Sequence, residues 1–319
     1  MKQRVGIIGV GAIGHPLATH LLHEGYSVTI CPHRNYAPIE QLKRQGAHSV
    51  SNPAEVAAHS DIVLILVPDA PQVEDVCFGE QGLAVRSTRE HALTVVVMST
   101  IAPTAVQSIG ERLQDLGIRV LDAPVSGGPA RAATGDLTIM VGGEADVLAP
   151  HWETLRVLGS HIIHLGPLGH GAIAKVANNM IIGTLMPVLA EVLTLATKMG
   201  ADVEKVREAI ATSSGSNYLL EKWLPQTILQ DQYEGGFALD LMLKDLQIAL
   251  STARALDVPA FATSLSAQLF TQAHGLGYGQ KDYSAVSLLY QNAAQITIAT
   301  GRARHRDQII TRNQKGPLL

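Results

Sequence analysis

The sequence predicts an α/β domain followed by an all-α domain, on three observations. Short β-branched apolar runs recur through the first half, at 5-VGIIGV-10, 27-SVTIC-31, 61-DIVLILV-67, 94-TVVVM-98, 119-RVLDA-123 and 137-LTIMV-141. Helix-compatible stretches separate most of them, the pattern of one sheet covered on both faces by helices. Strand signals end near 161-HIIHLG-166, and from Ala172 to Met199 apolar residues recur at helical spacing for roughly seven turns. Helical patterns, among them 201-ADVEKVREAI-210 and 239-LDLMLKDLQIALSTARAL-256, then dominate to the C-terminus. The expected division is 1–167 for the sheet domain and 168–319 for the helical domain, with a long connecting helix over 170–199. The segments 212-TSSGSN-217 and 274-HGLGYG-279 read as turns.

A chain of 319 residues with 46% hydrophobic content can bury the cores of two domains. A formal charge of −4 without a long basic run gives no electrostatic case for nucleic acid. The only cysteines, Cys31 and Cys77, provide neither a disulfide framework nor a zinc cluster and suit a reducing compartment. The start MKQRVGIIGV does not read as a secretory signal. The apolar segment Val176 to Ala190 contains Asn178, Asn179 and Pro187 and is short for a membrane span. The expectation is a soluble, cytoplasmic protein with no nucleic-acid or membrane partner. Thirteen histidines are scattered, and His15, His23, His33, His161 and His164 form no H-E-x-x-H or Cys/His pattern, so no catalytic metal is expected.

The first strand runs directly into 9-GVGAIG-14, a G-x-G-x-x-G pattern ahead of helix-compatible 15-HPLATHLLHEG-25. Gly9 permits the tight turn, Gly11 lets the backbone approach a pyrophosphate, and Gly14 permits close packing of strand on helix, with Ala12 and Ile13 completing the loop. This context points to a Rossmann-type dinucleotide-binding domain. NAD binding usually places a carboxylate at the end of the second strand, but here stands 31-CPHRN-35, with no carboxylate until Glu40. Arg34 can pair with the extra phosphate of NADP and His33 can donate to it, so NADP is expected in preference to NAD.

Three further segments lie just beyond strands: 67-VPDAPQ-72, 99-STIAPT-104 and 122-DAPVSGG-128. In a parallel sheet such connections gather at the carboxyl ends, beside the nucleotide loop. Ser126 offers a hydroxyl, and Gly127 and Gly128 let backbone amides approach a carboxylate, although the same triplet serves as an ordinary turn. Lys175 and Asn179, four residues apart, share one helix face. They are either a snorkelling lysine with a structural asparagine, or an ammonium placed to stabilise and protonate an oxygen while a carbonyl receives hydride. Lys244 and Asp245 read as a helix-surface ion pair, or as a lysine approaching cofactor or substrate with its carboxylate in support.

Together, 5-VGIIGVGAIG-14, 67-VP-68, 99-ST-100, 122-DAPVSGG-128, 135-GDLTIMVGG-143, the G-x-G-x-x-x-K-x-x-x-N pattern from Gly169 to Asn179, and 244-KD-245 closely resemble the β-hydroxyacid dehydrogenase family. These relatives of 3-hydroxyisobutyrate dehydrogenase, tartronate semialdehyde reductase and the glyoxylate or succinic semialdehyde reductases match almost the whole chain. The resemblance implies an oxidoreductase moving hydride between NADP(H) and a small carboxylate-bearing carbonyl compound or β-hydroxy acid. Lys175 is similar to the family's general acid and base, and Asn179 to its substrate-positioning partner. Ser126, Gly127 and Gly128 match the carboxylate anchor, Thr100 a residue near both nicotinamide and substrate, Val67 and Pro68 part of the cofactor edge, and Lys244 a lysine that closes over the cofactor. It also implies an interdomain cleft, and a homodimer or homotetramer formed largely through the helical domains. Two departures stand out. Pro32, His33 and Arg34 replace the Asn-Arg-Thr of many relatives, and Arg131-Ala132 replaces a glycine-alanine pair. Arg131 either turns into the cleft to receive a second carboxylate or sulfonate on a larger substrate, or faces solvent, which is the reading expected here. The rival readings are an imine reductase-like enzyme, which commonly lacks this lysine, and a noncatalytic NADP-binding interaction protein.

Overall fold

The computed structural model describes residues 2–32, 36–85 and 93–299. It divides into two compact units, Met1–Ala177 and Asn178–Leu319. The boundary falls within the long helix, ten residues beyond the expected one, because the first turns of that helix pack with the sheet unit.

The first unit alternates strand and helix: β1 (Arg4–Ile8), α1 (Gly14–His23), β2 (Ser27–Ile30), α2 (Ala37–Arg44), β3 (His48–Ser49), α3 (Pro53–Ala58), β4 (Ile62–Ile65), α4 (Ala70–Phe78), β5 (Thr94–Val97), α5 (Pro103–Asp115) and β6 (Arg119–Asp122). These strands form one parallel sheet in the order β3-β2-β1-β4-β5-β6, with Val5 opposite both Val28 and Ile62. Side chains alternate strictly between its faces. Val5, Ile7, Ile62, Leu64, Val96 and Leu121 enter one core. Their neighbours Ile8, Val63, Ile65, Val95, Val97 and Val120 enter the other. Burial on both sides explains the near-continuous apolar strands. Helix starts are locally encoded: the Asn52 side chain accepts from Glu55 N at 2.9 Å ahead of Pro53, and Asp69 accepts from Gln72 N at 3.0 Å.

The expectation of one sheet is corrected after β6. The elements β7 (Val125–Ser126), α6 (Gly128–Ala133), β8 (Thr138–Val141), α7 (Ala145–Leu148), α8 (Trp152–Leu158) and β9 (His161–His164) follow, and their strands form a separate sheet in the order β7-β8-β9. There β7 runs antiparallel to β8, and β8 parallel to β9. Pro124 has no amide hydrogen to continue the β6 ladder, and an isolated bridge between Asp122 and Gly142 links the two sheets.

The helix α9 (His170–Lys198) follows, one residue shorter than expected. Its most apolar window has a mean hydropathy of 1.8, and by length and composition it could cross a membrane. It is nevertheless a packing element: Ala172 joins the sheet core, and Met186, Leu189 and Leu193 join the core of the second unit.

That second unit continues with α10 (Val203–Ala211), α11 (Leu239–Ala255), α12 (Phe261–Gly275) and α13 (Ser287–Ala294). Met242, Leu246, Phe270 and Tyr283 fill its centre with the α9 residues. A buried carboxylate, Asp282, ties its loops together by accepting from Trp223 Nε1, Phe237 N and Ser284 N, each at 3.0 Å.

Candidate active site

Parallel strands place their carboxyl ends along one edge, and the order of the main sheet reverses between β1 and β4. A crevice forms at such a reversal. The loop Gly9 to Gly14 leaves β1 at this point. Gly9 has φ +99°, and a Cβ there would lie 2.5 Å from the Leu66 carbonyl oxygen; a Cβ on Gly14 would collide with the Gly9 carbonyl oxygen. Gly11 has nothing within 4 Å of where a Cβ would stand. Two glycines are thus required by the protein's own backbone, and the third leaves open space on an exposed loop. No side chain caps the α1 N-terminus, so its amides can meet an anion. These residues fit the pyrophosphate of a dinucleotide.

Val67 and Pro68 follow β4, and half-buried Thr100 follows β5. The neighbouring Ser99 is fixed by its amide and hydroxyl, which donate to the Ile65 carbonyl at 3.1 and 3.3 Å. After β6 come half-buried Ser126, Gly127 and Gly128, with φ +141° and +71° at the two glycines. A Cβ on Gly127 would press on Leu137 and Arg131, whereas Gly128 again faces open space. In the first unit the nucleotide loop, Val67 with Pro68, and Thr100 thus follow the carboxyl ends of β1, β4 and β5, and the Ser126 to Gly128 segment begins in β7, two residues after β6 ends. His33 and Arg34 lie outside the described residues.

Lys175, also in this unit, is buried on the second turn of α9. That helix begins at Gly169, whose carbonyl accepts from Ile173 N, so a glycine occupies its N-cap. Asp122, at the end of β6 and fully buried, supplies the cap. Its two oxygens accept from Gly169 N at 2.7 Å and Ala172 N at 2.6 Å. Burial raises the Asp122 carboxyl above its ordinary range, and the two amides partly offset this by favouring the charged form. In the sequence Asp122 belongs both to the strand run 119-RVLDA-123 and to the segment 122-DAPVSGG-128, and neither marks it as a helix cap.

Asn179, one turn beyond Lys175 on the same face of α9, is also buried. In the second unit its Nδ2 donates to Asp245 Oδ2 at 2.5 Å, while its Oδ1 accepts from Asn178 at 3.0 Å. Lys244 Nζ lies 3.1 Å from Asp245 Oδ1. The Lys244 and Asp245 pair is therefore not confined to the helix surface: Asp245 is buried and joins Lys244 on α11 to Asn179 on α9. Asn179 keeps one N–H and one lone pair for another partner.

Arg131 is half-buried beside Gly127 and is held by an ion pair. Its Nε donates to Asp136 Oδ2 at 3.0 Å, and Asp136 also accepts from Ser160 and is held below the usual carboxylate range by these two donors. Cys31, at the end of β2, is pushed up to about 11 by burial and the nearby Glu55 charge, which leaves no thiolate nucleophile at neutral pH. Among the described residues no three His, Cys, Asp or Glu side chains come together as metal ligands.

Residues 4–166 match the model of the NAD-binding domain of 6-phosphogluconate dehydrogenase, and residues 169–290 match that of the NAD-binding region of NADP-dependent 3-hydroxyisobutyrate dehydrogenase. The chain belongs to the β-hydroxyacid dehydrogenase family. Among family members it is 36% identical to 2-(hydroxymethyl)glutarate dehydrogenase of Eubacterium barkeri over 94% of this chain and 98% of that protein. It is likewise 36% identical to 2-hydroxy-3-oxopropionate reductase of Escherichia coli, over 89% and 96% of the two chains. The solved Mycobacterium tuberculosis 3-hydroxyisobutyrate dehydrogenase with L-serine superposes at a TM-score of 0.81 with 27% identity, covering 91% of this chain and 99% of that one. An imine reductase from Pseudomonas sp. shares only the fold, at 22% identity and a TM-score of 0.61. As a family member the protein is an NAD(P)-dependent hydroxyacid dehydrogenase.

Proposed function

We propose that the protein interconverts a small carboxylate-bearing aldehyde or ketone and the corresponding hydroxy acid, with NADP(H) preferred over NAD(H). The observation that carries this reading is the buried Lys175 on a helix capped from the end of β6, in the same unit as the Ser126 to Gly128 segment. The Gly127 and Gly128 amides and the Ser126 hydroxyl hold the substrate carboxylate, and Thr100 lies beside the reacting group. Bound along the Gly9 to Gly14 loop, the nicotinamide nucleotide supplies hydride in reduction and accepts it in oxidation. Lys175 donates a proton to the carbonyl oxygen as the carbonyl carbon is reduced, and is reprotonated from solvent. In oxidation its neutral amine takes the hydroxyl proton. Asn179, oriented by Asp245, positions the same oxygen, and Lys244 is assigned to the cofactor.

His33 and Arg34, with no acidic residue at the end of β2, support the preference for NADP. Arg34→Ala should raise the Kd for NADPH by about 10-fold and leave that for NADH within twofold; equal effects on both nucleotides would remove the preference. A homodimer or homotetramer is proposed from the exposed apolar residues Ile181, Val188 and Leu195 on α9, with exposed Met199 just beyond its end. Light scattering of Val188→Glu against the wild type tests it: a smaller particle supports the reading, and an unchanged mass contradicts it. Two buried free cysteines are compatible with the proposed cytoplasmic location without nucleic-acid or membrane partners.

A further inference from the structure

We propose that Asp122 is a positioning residue for catalysis, which sets the placement of Lys175 by capping α9 from another part of the chain. The inference rests on the role of Lys175 proposed above. A self-capped helix uses a Ser, Thr, Asp or Asn at the N-cap to accept from the N3 amide, and a Glu or Gln at N3 to accept from the N-cap amide. In α9 these positions are Gly169 and Ala172, neither of which has a polar side chain. Asp122 replaces both halves of that exchange. One carboxylate oxygen takes the N-cap amide of Gly169 and the other the N3 amide of Ala172, across 47 and 50 residues of chain.

The backbone on both sides of this joint is held closely as well. Asp122 N donates to Gly142 O at 3.0 Å and Gly142 N to Asp122 O at 2.7 Å, which fixes the backbone that carries the carboxylate. A Cβ on Gly142 would collide with Asp122 Oδ1. A Cβ on Gly171, within the first turn of α9, would collide with the Met140 carbonyl oxygen and stand 2.8 Å from Asp122 Oδ2. Two glycines thus admit the carboxylate and the helix turn to one small volume. A cap made by a side chain within α9 would satisfy the same amides without fixing the helix to anything. This cap fixes the first turn to the end of β6, four residues before Ser126. Lys175 lies three residues beyond Ala172, so its distance from the carboxylate anchor is set through this joint. The negative charge at the positive end of the helix dipole holds the turn electrostatically as well.

A displacement of about 1 Å at a proton donor can cost on the order of 10²-fold in rate. Asp122→Asn keeps the shape but presents an amide nitrogen to one of the two helix amides. It should lower kcat by about 10- to 100-fold while the KM for the carbonyl acid and the Kd for NADPH stay within twofold. Gly171→Ala, which keeps the carboxylate and pushes the turn away, should give the same split; it carries the test alone if Asp122→Asn does not fold.

The deciding measurement is a double-mutant cycle in kcat with Lys175→Met. If Asp122 acts through Lys175, adding Asp122→Asn to Lys175→Met lowers kcat no further. Multiplied losses in the folded double variant would overturn the proposal, as would a folded Asp122→Asn enzyme with wild-type kcat. Undiminished turnover of Lys175→Met alone would instead overturn the role of Lys175, a separate and distinguishable failure.

Discussion

Two buried carboxylates hold the first and third turns of α9, and they do it by different means. Asp122 accepts only backbone amides, from Gly169 and Ala172, and so fixes where the helix begins. Asp245 meets side chains, Asn179 at 2.5 Å and Lys244 at 3.1 Å, and so fixes rotamers on a helix already in place. The difference teaches how rigidity is divided around the reacting groups. A fault in the first displaces a whole turn, whereas a fault in the second removes one partner from an amide and one from an ammonium.

The largest test of that contrast is Asp245→Ala. It removes the carboxylate partner of Asn179 and half-buried Lys244, and should cost about 2–4 kcal/mol in denaturant-monitored stability. It should also raise the substrate KM and lower kcat by about 10-fold each, because Asn179 loses its orientation. A split identical to that of Asp122→Asn would erase the distinction between the two carboxylates. Lys244→Met gives a smaller effect: the carboxylate keeps its bond to Asn179, so stability should fall by about 1–2 kcal/mol. The assigned role predicts that the Kd for NADPH rises severalfold while the KM for the carbonyl acid does not, and titration of both ligands separates the outcomes.

The smallest effect lies outside both joints. Buried His151 bonds Thr94 at 2.8 Å through Nε2 and faces Gln3 through Nδ1. Burial, helped by the charge of Arg119, lowers its pKa from 6.5 to about 4. The unfolded chain therefore takes up this proton first as pH falls. Stability present above the ordinary histidine range is lost progressively between about 6.5 and about 4. In His151→Gln the melting temperature should fall less steeply over that window; an unchanged slope would show that other groups govern acid sensitivity.

Much of this arrangement was legible in the sequence because its signals are local. Strand, glycine turn and helix follow one another directly from Val5 to His23, and the two-residue alternation of apolar side chains marks both faces of the sheet. Lys175 and Asn179 stand out because polar groups at four-residue spacing interrupt an apolar helix. The rest depends on contacts between distant residues. The α9 cap is invisible locally because its N-cap and N3 residues are Gly169 and Ala172, and the acceptor comes from Asp122. The second sheet depends on β7, too short to show any period, and on Pro124, whose effect on the β6 ladder appears only once the partner strands are known. Asp245 stands beside Lys244 in the sequence, but its bond to Asn179 spans 66 residues.

The most direct test of the central claim is a single turnover of enzyme preloaded with NADPH, followed at the reduced-nicotinamide absorbance band. Glyoxylate, succinic semialdehyde, tartronate semialdehyde and methylmalonate semialdehyde would each be mixed with the wild type and with Lys175→Met. The account predicts rapid absorbance loss with at least one of these acids and a rate slower by about 10²-fold or more in the variant, at unchanged NADPH affinity. Equal rates in the two proteins, or NADPH binding with no turnover of any acid, would contradict it.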